Sequence, residues 1–387
     1  MAGFFKYEDC PLKHYVRMEG WLPFARRRLR LIRAHRKASR ERGLRYFTFC
    51  AVGAIDVLML ENANIIVKND GRFDNVVFFD RTDELILETQ RRIPGAIGFP
   101  GSFTSVVIYD DAVGDAEIEA TDYLMSPSDQ LDEKAVRERQ RRLDIRKRFR
   151  LKFPFDVINL DLEEFLFRPS DPLPGKVVRA MRRIFEWQRQ PLMLTKKQRE
   201  TLSGFTLMFT TQIGPPAMHP DYLDMLRDYL RTNITSEPRL LDILEQRSGF
   251  RDLGRLEAEN FDLFFKLSVP KVIARILLEE DWYIDPEYGV NIFQFERPSR
   301  TGPYVLLHMV MDVKRQVPSR DDRAPDTRPP AVSHAYDVVV RQIFEVPERI
   351  VTLDGIDVDG INRSLETIKA LRRHYCPDES NPGRTSL

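Results

Sequence analysis

Three groups of residues in this 387-residue chain have types and spacings that could do chemistry. The first lies in Tyr46 to Glu61, YFTFCAVGAIDVLMLE, where an aromatic-rich run ends in a short turn from Cys50 to Gly53 and passes at once into Ile55, Leu58 and Met59 at helical spacing. A strand feeding a helix through a tight turn aims the helix's unpaired N–H groups beyond the strand, as open α/β sheets do when they bind ligands. The second is Asp80, which closes the apolar run NVVFFD 27 residues after Gly53. A short ionised acceptor at the tip of a second strand can take both hydroxyls of a ribose. It can also cap the helix read over Thr82 to Arg91, and the two roles are compatible. The third is the pair Asn159 and Asp161 in FDVINLD, polar residues at the end of a buried strand, placed to position a nucleophile or take its proton.

The elements that must position these groups follow from apolar patterning. Pro94 to Phe103, PGAIGFPGSF, reads as a Gly/Pro loop of the kind that wraps a nucleoside base, and Ser105 to Tyr109, SVVIY, as a third strand after it. Arg179 to Arg189 and Lys196 to Leu202 read as helices, and Gly204 to Thr211, GFTLMFTT, as a fifth strand. Residues 217 to 280 switch to helical periodicity and read as an insertion. Strand character returns at Trp282 to Ile284, Asn291 to Glu296 and Tyr304 to Val313, the last two as an antiparallel hairpin. Residues 314 to 331 are rich in Pro, Arg and Asp and read as flexible, and helices follow at Ala335 to Phe344 and Ile361 to Arg373. This predicts an α/β fold with a Rossmann-like, mostly parallel sheet, an antiparallel C-terminal hairpin and a helical insertion. Four segments result: a basic N-terminal helical extension (1–44), the α/β domain (45–314), a linker (315–333), and C-terminal helices with a tail (334–387).

Bulk properties bound the partners. Net charge is +1 and 42% of residues are apolar, so no global field draws the chain to nucleic acid or lipid. Three widely spaced cysteines, Cys10, Cys50 and Cys376, do not form a disulfide framework or a zinc ribbon, which with the lack of a signal-peptide pattern predicts a reducing, cytoplasmic setting. Local charge is another matter. Arg26 to Arg42 carries nine Lys or Arg among seventeen residues against Glu41 alone, with Ala25, Leu29 and Ile32 as a narrow apolar stripe. Leu131 to Arg150 is nearly all charge, with acid-before-base pairs such as Glu138 and Arg142 four residues apart. Both basic helices, 26–42 and 131–150, read either as solvated flanks or as phosphate-contacting surfaces for nucleic acid. The acidic stretch Asp110 to Asp122 lacks calcium-loop spacing and reads as a surface loop, so no metal site is expected.

From Arg45 to Val313 this order of elements resembles the class I S-adenosylmethionine-dependent methyltransferase fold, whose sheet has seven strands with the last antiparallel. The phrase FCAVGAIDVLMLE is also similar in layout to the F-C-x-x-G-G opening of cytosine DNA methyltransferases. The resemblance implies S-adenosylmethionine as cofactor. It implies Cys50, Ala51 and Gly53 in the cofactor loop, Asp80 on the ribose, Ser102 and Phe103 on the adenine side, and Asn159 and Asp161 at the catalytic position, with Asp161 as the base. Where that family carries several glycines, this chain has Gly53 between Ala51 and Ala54, and no Pro-Pro-Tyr or Pro-Cys follows Asn159. Cys50 belongs to the turn and so does not replace the nucleophile of the missing Pro-Cys; it reads as a small buried residue ahead of a reactive one. Two functions therefore stand: a methyltransferase of unassigned acceptor, nucleic acid among the candidates, or a catalytically degenerate relative that serves as a binding or scaffold subunit.

Overall fold

Short runs of Val, Ile, Phe and Tyr buried on both sides make the centre of the molecule. The computed structural model describes residues 11–35, 43–49, 54–109, 133–162, 165–167, 175–194, 203–213, 218, 220–236, 238–285, 287–297, 304–315, 350–352 and 358–375. Strands β1 (Tyr46–Phe49), β2 (Val76–Asp80), β3 (Ile97–Pro100), β4 (Val157–Asp161) and β5 (Gly204–Ile213) are parallel, in the spatial order β3-β2-β1-β4-β5. Parallel strands covered on both faces read as continuous apolar runs, which is why VVFF and VINL are recognisable. Strand β6 (Trp282–Ile284) and the hairpin of β7 (Val290–Arg297) and β8 (Tyr304–Arg315) complete the sheet, with β8 antiparallel between β5 and β7. A short β9 (Ile350–Thr352), which apolar patterning does not predict, runs parallel to β7 at the edge. The result is the expected Rossmann-like sheet, mostly parallel with an antiparallel C-terminal hairpin. Because the chain leaves β1 toward β3 and then returns to β4, the switch point lies between the ends of β1 and β4.

Alternate residues of each strand feed two apolar clusters, one on each face. On one face lie α1 (Pro11–Tyr15), a π-helical turn (Val16–Trp21) and α2 (Leu22–His35), together with α3 (Ile55–Asn62) and α4 (Asp83–Arg92). The other face carries α5 (Phe103–Val107), α6 (Glu133–Arg150), α7 (Lys176–Arg189), and the helical insertion α8 (Pro220–Ser236), α9 (Arg239–Ser248), α10 (Leu253–Glu259) and α11 (Phe261–Glu279). Helix α12 (Val358–Tyr375) packs on α1 and α3. No helix among the described residues is long and apolar enough to cross a membrane.

Three readings are corrected. The third strand is Ile97–Pro100, inside the Gly/Pro stretch, and SVVIY is helical through Val107. Gly98 belongs in that strand because α4 sits directly on it: a Cβ there would come within 2.4 Å of Ile86 Cγ2. Phe103, Val106 and Val107 are the buried positions of α5, a spacing of three and four that fits a helix. The second concerns the N-terminal extension: its basic helix lies on the sheet by the expected stripe of Ala25 and Leu29 and is part of the core, and residues 36–42 of the basic run lie outside the described residues. Val16, Trp21, Leu22, Ala25 and Leu29 are buried, and only part of the arginine run faces water: Arg26, Arg30 and Arg33 are exposed while Arg28 is buried. Lys314 and Arg315, read as the start of the flexible stretch, are the end of β8, held by pairing with β5 and β6; the rest of the linker, the expected helices over Lys196–Leu202 and Ala335–Phe344 and the acidic stretch lie outside the described residues.

Beneath this helix the sheet is polar. His308 of β8 is 1% exposed; the Trp21 indole N–H, a donor only, points at its Nε2, so the proton sits on Nδ1 and is donated to Thr210 Oγ1 at 2.6 Å. Nearby, Asp312 accepts from the Thr206 hydroxyl and meets Arg27 Nη1 at 3.1 Å. Burial pushes the His308 imidazole down to about 3, with Asp161 opposing and Lys13 and Arg17 adding. The native state therefore excludes a proton that the unfolded chain binds near pH 6.5, so this stabilisation is complete above that pH and is lost as pH falls. Lowering pH from 7 to 5 should cost about 2 kcal/mol at this residue. Urea denaturation of wild type and His308→Gln should show the variant's stability with a shallower pH slope by nearly one proton; equal slopes would contradict the assignment.

Candidate functional site

The ends of four parallel strands form one edge. Asp80 is in register with Pro100 and Phe79 with Phe49, and Phe47 pairs with Ile158, which brings Asp161 beside the end of β1. Cys50, Ala51 and Gly53 lie outside the described residues. The chain resumes at Ala54, fully buried and left-handed at φ 48°, directly ahead of α3. A residue with a Cβ seldom takes that conformation, so Ala54 is held in a strained shape by its surroundings.

Asn159 is wholly enclosed. Its Nδ2 donates to Tyr46 Oη at 2.8 Å, and Tyr46 Oη and Thr48 Oγ1 each donate to Asp56 Oδ2 at 2.8 Å. This network ties β4 to β1 and β1 to α3, and it leaves Asn159 Oδ1 buried without a hydrogen-bond partner among the described residues. Burial, with Asp56 adding, holds the Tyr46 phenol well above its ordinary range. Sequence reading missed Asp56, although a lone acid in the apolar run AIDVLML was a signal for a satisfied buried carboxylate.

Asp161 is also enclosed, by a residue nothing in the sequence linked to it. Lys13 Nζ of α1 lies 2.6 Å from Asp161 Oδ2, and the two side chains are 8% and 6% exposed. Burial works against the carboxylate, yet Lys13, with Arg17 and His308 adding, carries it below its ordinary range. A carboxylate so held is a weak base, which removes support from the proton-taking role expected of it.

The open side of the edge is at β2 and β3. Asp80 Oδ1 accepts the Arg81 N–H at 2.7 Å, while Oδ2 is buried without a hydrogen-bond partner among the described residues. The helix cap is supplied by Thr82, whose Oγ1 accepts from Leu85 N, so Asp80 is not spent on it. Burial raises the Asp80 carboxyl, with the Arg81 N–H opposing. Ser102 is exposed beside this tip, where Gly101 N donates to Asp80 O at 2.8 Å. Phe103 is 4% exposed and stands edge-on to Phe49 at 5.1 Å and to Phe79 at 5.6 Å, so its ring is a wedge that fills the space between the ends of β1 and β3. Beyond this wedge is a hollow of about 390 Å³ lined by Arg81, Thr82, Ser102, Ser105, Arg141 and Arg142, a size suited to a small organic ligand. The structure thus joins Asp80, Ser102 and Phe103 in one place and puts Asn159 and Asp161 across β1 from them. Among the described residues no His, Cys, Asp or Glu group could hold a metal ion.

Removing one partner of a buried ion pair strands the other, at a cost of about 3–5 kcal/mol. Lys13→Met should lose stability on that scale in urea denaturation, and adding Asp161→Asn should restore most of it. A loss below about 0.5 kcal/mol for Lys13→Met, the range of a surface pair, would show that the pair is solvated.

Comparison with known proteins comes to little. No family model and no curated protein matches the chain. Among solved structures, it is similar to an O-methyltransferase from Bacillus cereus in complex with SAH, at 10% identity over 78% of this chain and 91% of that one, with a TM-score of 0.24.

Proposed function

We propose that this chain is an S-adenosylmethionine-dependent methyltransferase that holds the cofactor's adenosine at the tips of β2 and β3. The observation that carries the reading is Asp80 Oδ2, a buried acceptor with no partner among the described residues, at the end of the second strand of a sheet ordered β3-β2-β1-β4-β5. A buried acceptor left unpaired is costly, and a ribose hydroxyl would satisfy it. The hollow lined by Arg81, the residue after Asp80, gives a purine room. S-adenosylmethionine supplies an electrophilic methyl group whose leaving sulfur already carries the charge, so the protein's work is mainly alignment of the acceptor. The Asp56 network would fix the start of α3 against β1, beside the space that the rest of the molecule would take. With Asp161 held as a weak base, the chain favours an acceptor atom that needs no strong base.

A second reading is favoured by a specific contact. Lys13 on Asp161 closes the β4 side of the switch point, as a protein that kept the fold and lost the transfer would tolerate. In that case the chain is a binding or scaffold subunit.

Isothermal titration with S-adenosylmethionine and S-adenosylhomocysteine separates the two. Binding should be measurable, and Asp80→Ala should weaken it by about tenfold or more, the scale of a hydrogen bond to a charged group. An absence of heat with wild type, or an unchanged isotherm in the variant, would favour the scaffold.

A further inference from the structure

Among its described side chains helix α6 buries a narrow stripe, Ile145 and Phe149, and shows the solvent several cations, Arg139, Lys147 and Arg148 among them. On its flank toward α7, Arg142, Arg146 and Arg150 recur every fourth residue, about 6 Å apart along the axis. Each is backed by an aromatic ring. Arg142 lies 5.7 Å from the centre of Tyr109, and Arg146 and Arg150 lie 5.5 Å and 5.9 Å from that of Trp187. Arg183 of α7 adds a further guanidinium. Carboxylates oppose the column at its margins, Glu138 on Arg142 at 3.0 Å and Glu186 on Arg183 at 2.7 Å.

Such a column works against the fold. Like charges four residues apart destabilise a helix, and the Nε of Arg150 is buried without a hydrogen-bond partner among the described residues. Burial, then Arg183 and Arg150, lowers the Arg146 guanidinium to about 10, with Glu186 opposing. An anion along the column would relieve that crowding.

We infer that the Arg142, Arg146, Arg150 and Arg183 column is a binding surface for the phosphodiester backbone of a nucleic acid. The planar forks of arginine match phosphate oxygens two at a time, and even spacing along one helix suits a ligand whose charges repeat. Trp187 is 1% exposed, so it braces guanidinium planes and does not stack on bases; binding is therefore independent of base sequence. Arg142 also lines the hollow beside Asp80, so a strand on the column leads to the candidate site. The surface stands on its own geometry; that its ligand is the methyl acceptor rests on the function proposed above.

The test is fluorescence anisotropy of the full chain with labelled oligo(dT) and a mixed-sequence duplex, from about 50 to 200 mM salt. Polyglutamate serves as competitor. Wild type should bind with affinity that falls steeply as salt rises. Arg146→Gln/Arg150→Gln/Arg183→Gln should weaken binding by about tenfold or more and reduce the slope of log affinity against log salt by about three, one for each phosphate that the variant no longer neutralises. The same variant should keep the wild-type S-adenosylhomocysteine isotherm. Should the triple variant not fold, Arg150→Gln/Arg183→Gln should lower the slope by about two. A flat salt response, undiminished binding by a folded variant, or displacement by polyglutamate at equal charge would overturn the surface, the last in favour of an acidic protein partner. Oligonucleotide binding by a chain that takes no S-adenosylhomocysteine would keep the surface and end the acceptor assignment.

Discussion

A carboxylate taken out of water at the end of β4 sets the terms for the rest of the molecule. Desolvating Asp161 costs several kcal/mol unless a cation follows it in, and the cation is Lys13, from a helix that begins the described chain. For Lys13 to arrive there, α1, the π-helical turn and α2 must lie across the sheet, which they do by burying Trp21, Leu22, Ala25 and Leu29. Their polar contacts are matched along the way: Trp21 to His308, Arg27 to Asp312. The N-terminal helices are thus fastened to acids of the sheet at two points, Lys13 of α1 and Arg27 of α2. Part of their charge is structural, and only the outward arginines are left for solvent or a partner.

This pairing makes the two sides of the switch point unlike. On the β4 side the polar groups are enclosed and satisfied by protein, apart from one oxygen each of Asn159 and Asp161. On the β2 side Asp80 keeps an oxygen without a partner among the described residues, next to a hollow. Phe103, Phe49 and Phe79 form the partition between them. An α/β sheet of this order has room for a ligand on either side of its switch point, and the hollow lined by Arg81 and Ser102 lies on the β2 side.

Much of the fold was legible because parallel strands buried on both faces must be apolar without interruption. VVFF, VINL and GFTLMFTT could hardly be anything else, and the hairpin of β7 and β8 was visible from its turn. The third strand was not, since IGFP holds a glycine and a proline and is a strand by its pairing with β2, which the local pattern does not show. SVVIY was misread because five apolar residues fit a strand or a helix equally. Of the site, Asp80 stood out by type and place, and Thr82 as a cap removed its competing role. The partner of Asp161 could not be read, because Lys13 lies 148 residues away and only the tertiary path of α1 brings it near. Charge runs hid a similar distinction: Arg26 and Arg28 are two residues apart, one exposed and the other buried.

If an adenosine occupies the β2 and β3 side of the edge, it must touch the walls of the hollow there. Photolabelling with an 8-azido analogue of S-adenosylmethionine, followed by peptide mapping, addresses this directly. Saturable labelling, competed by S-adenosylhomocysteine, is expected within residues 81–84 or 101–106, which border the hollow. Labelling confined to residues 157–167 around β4, or none that saturates, would contradict it.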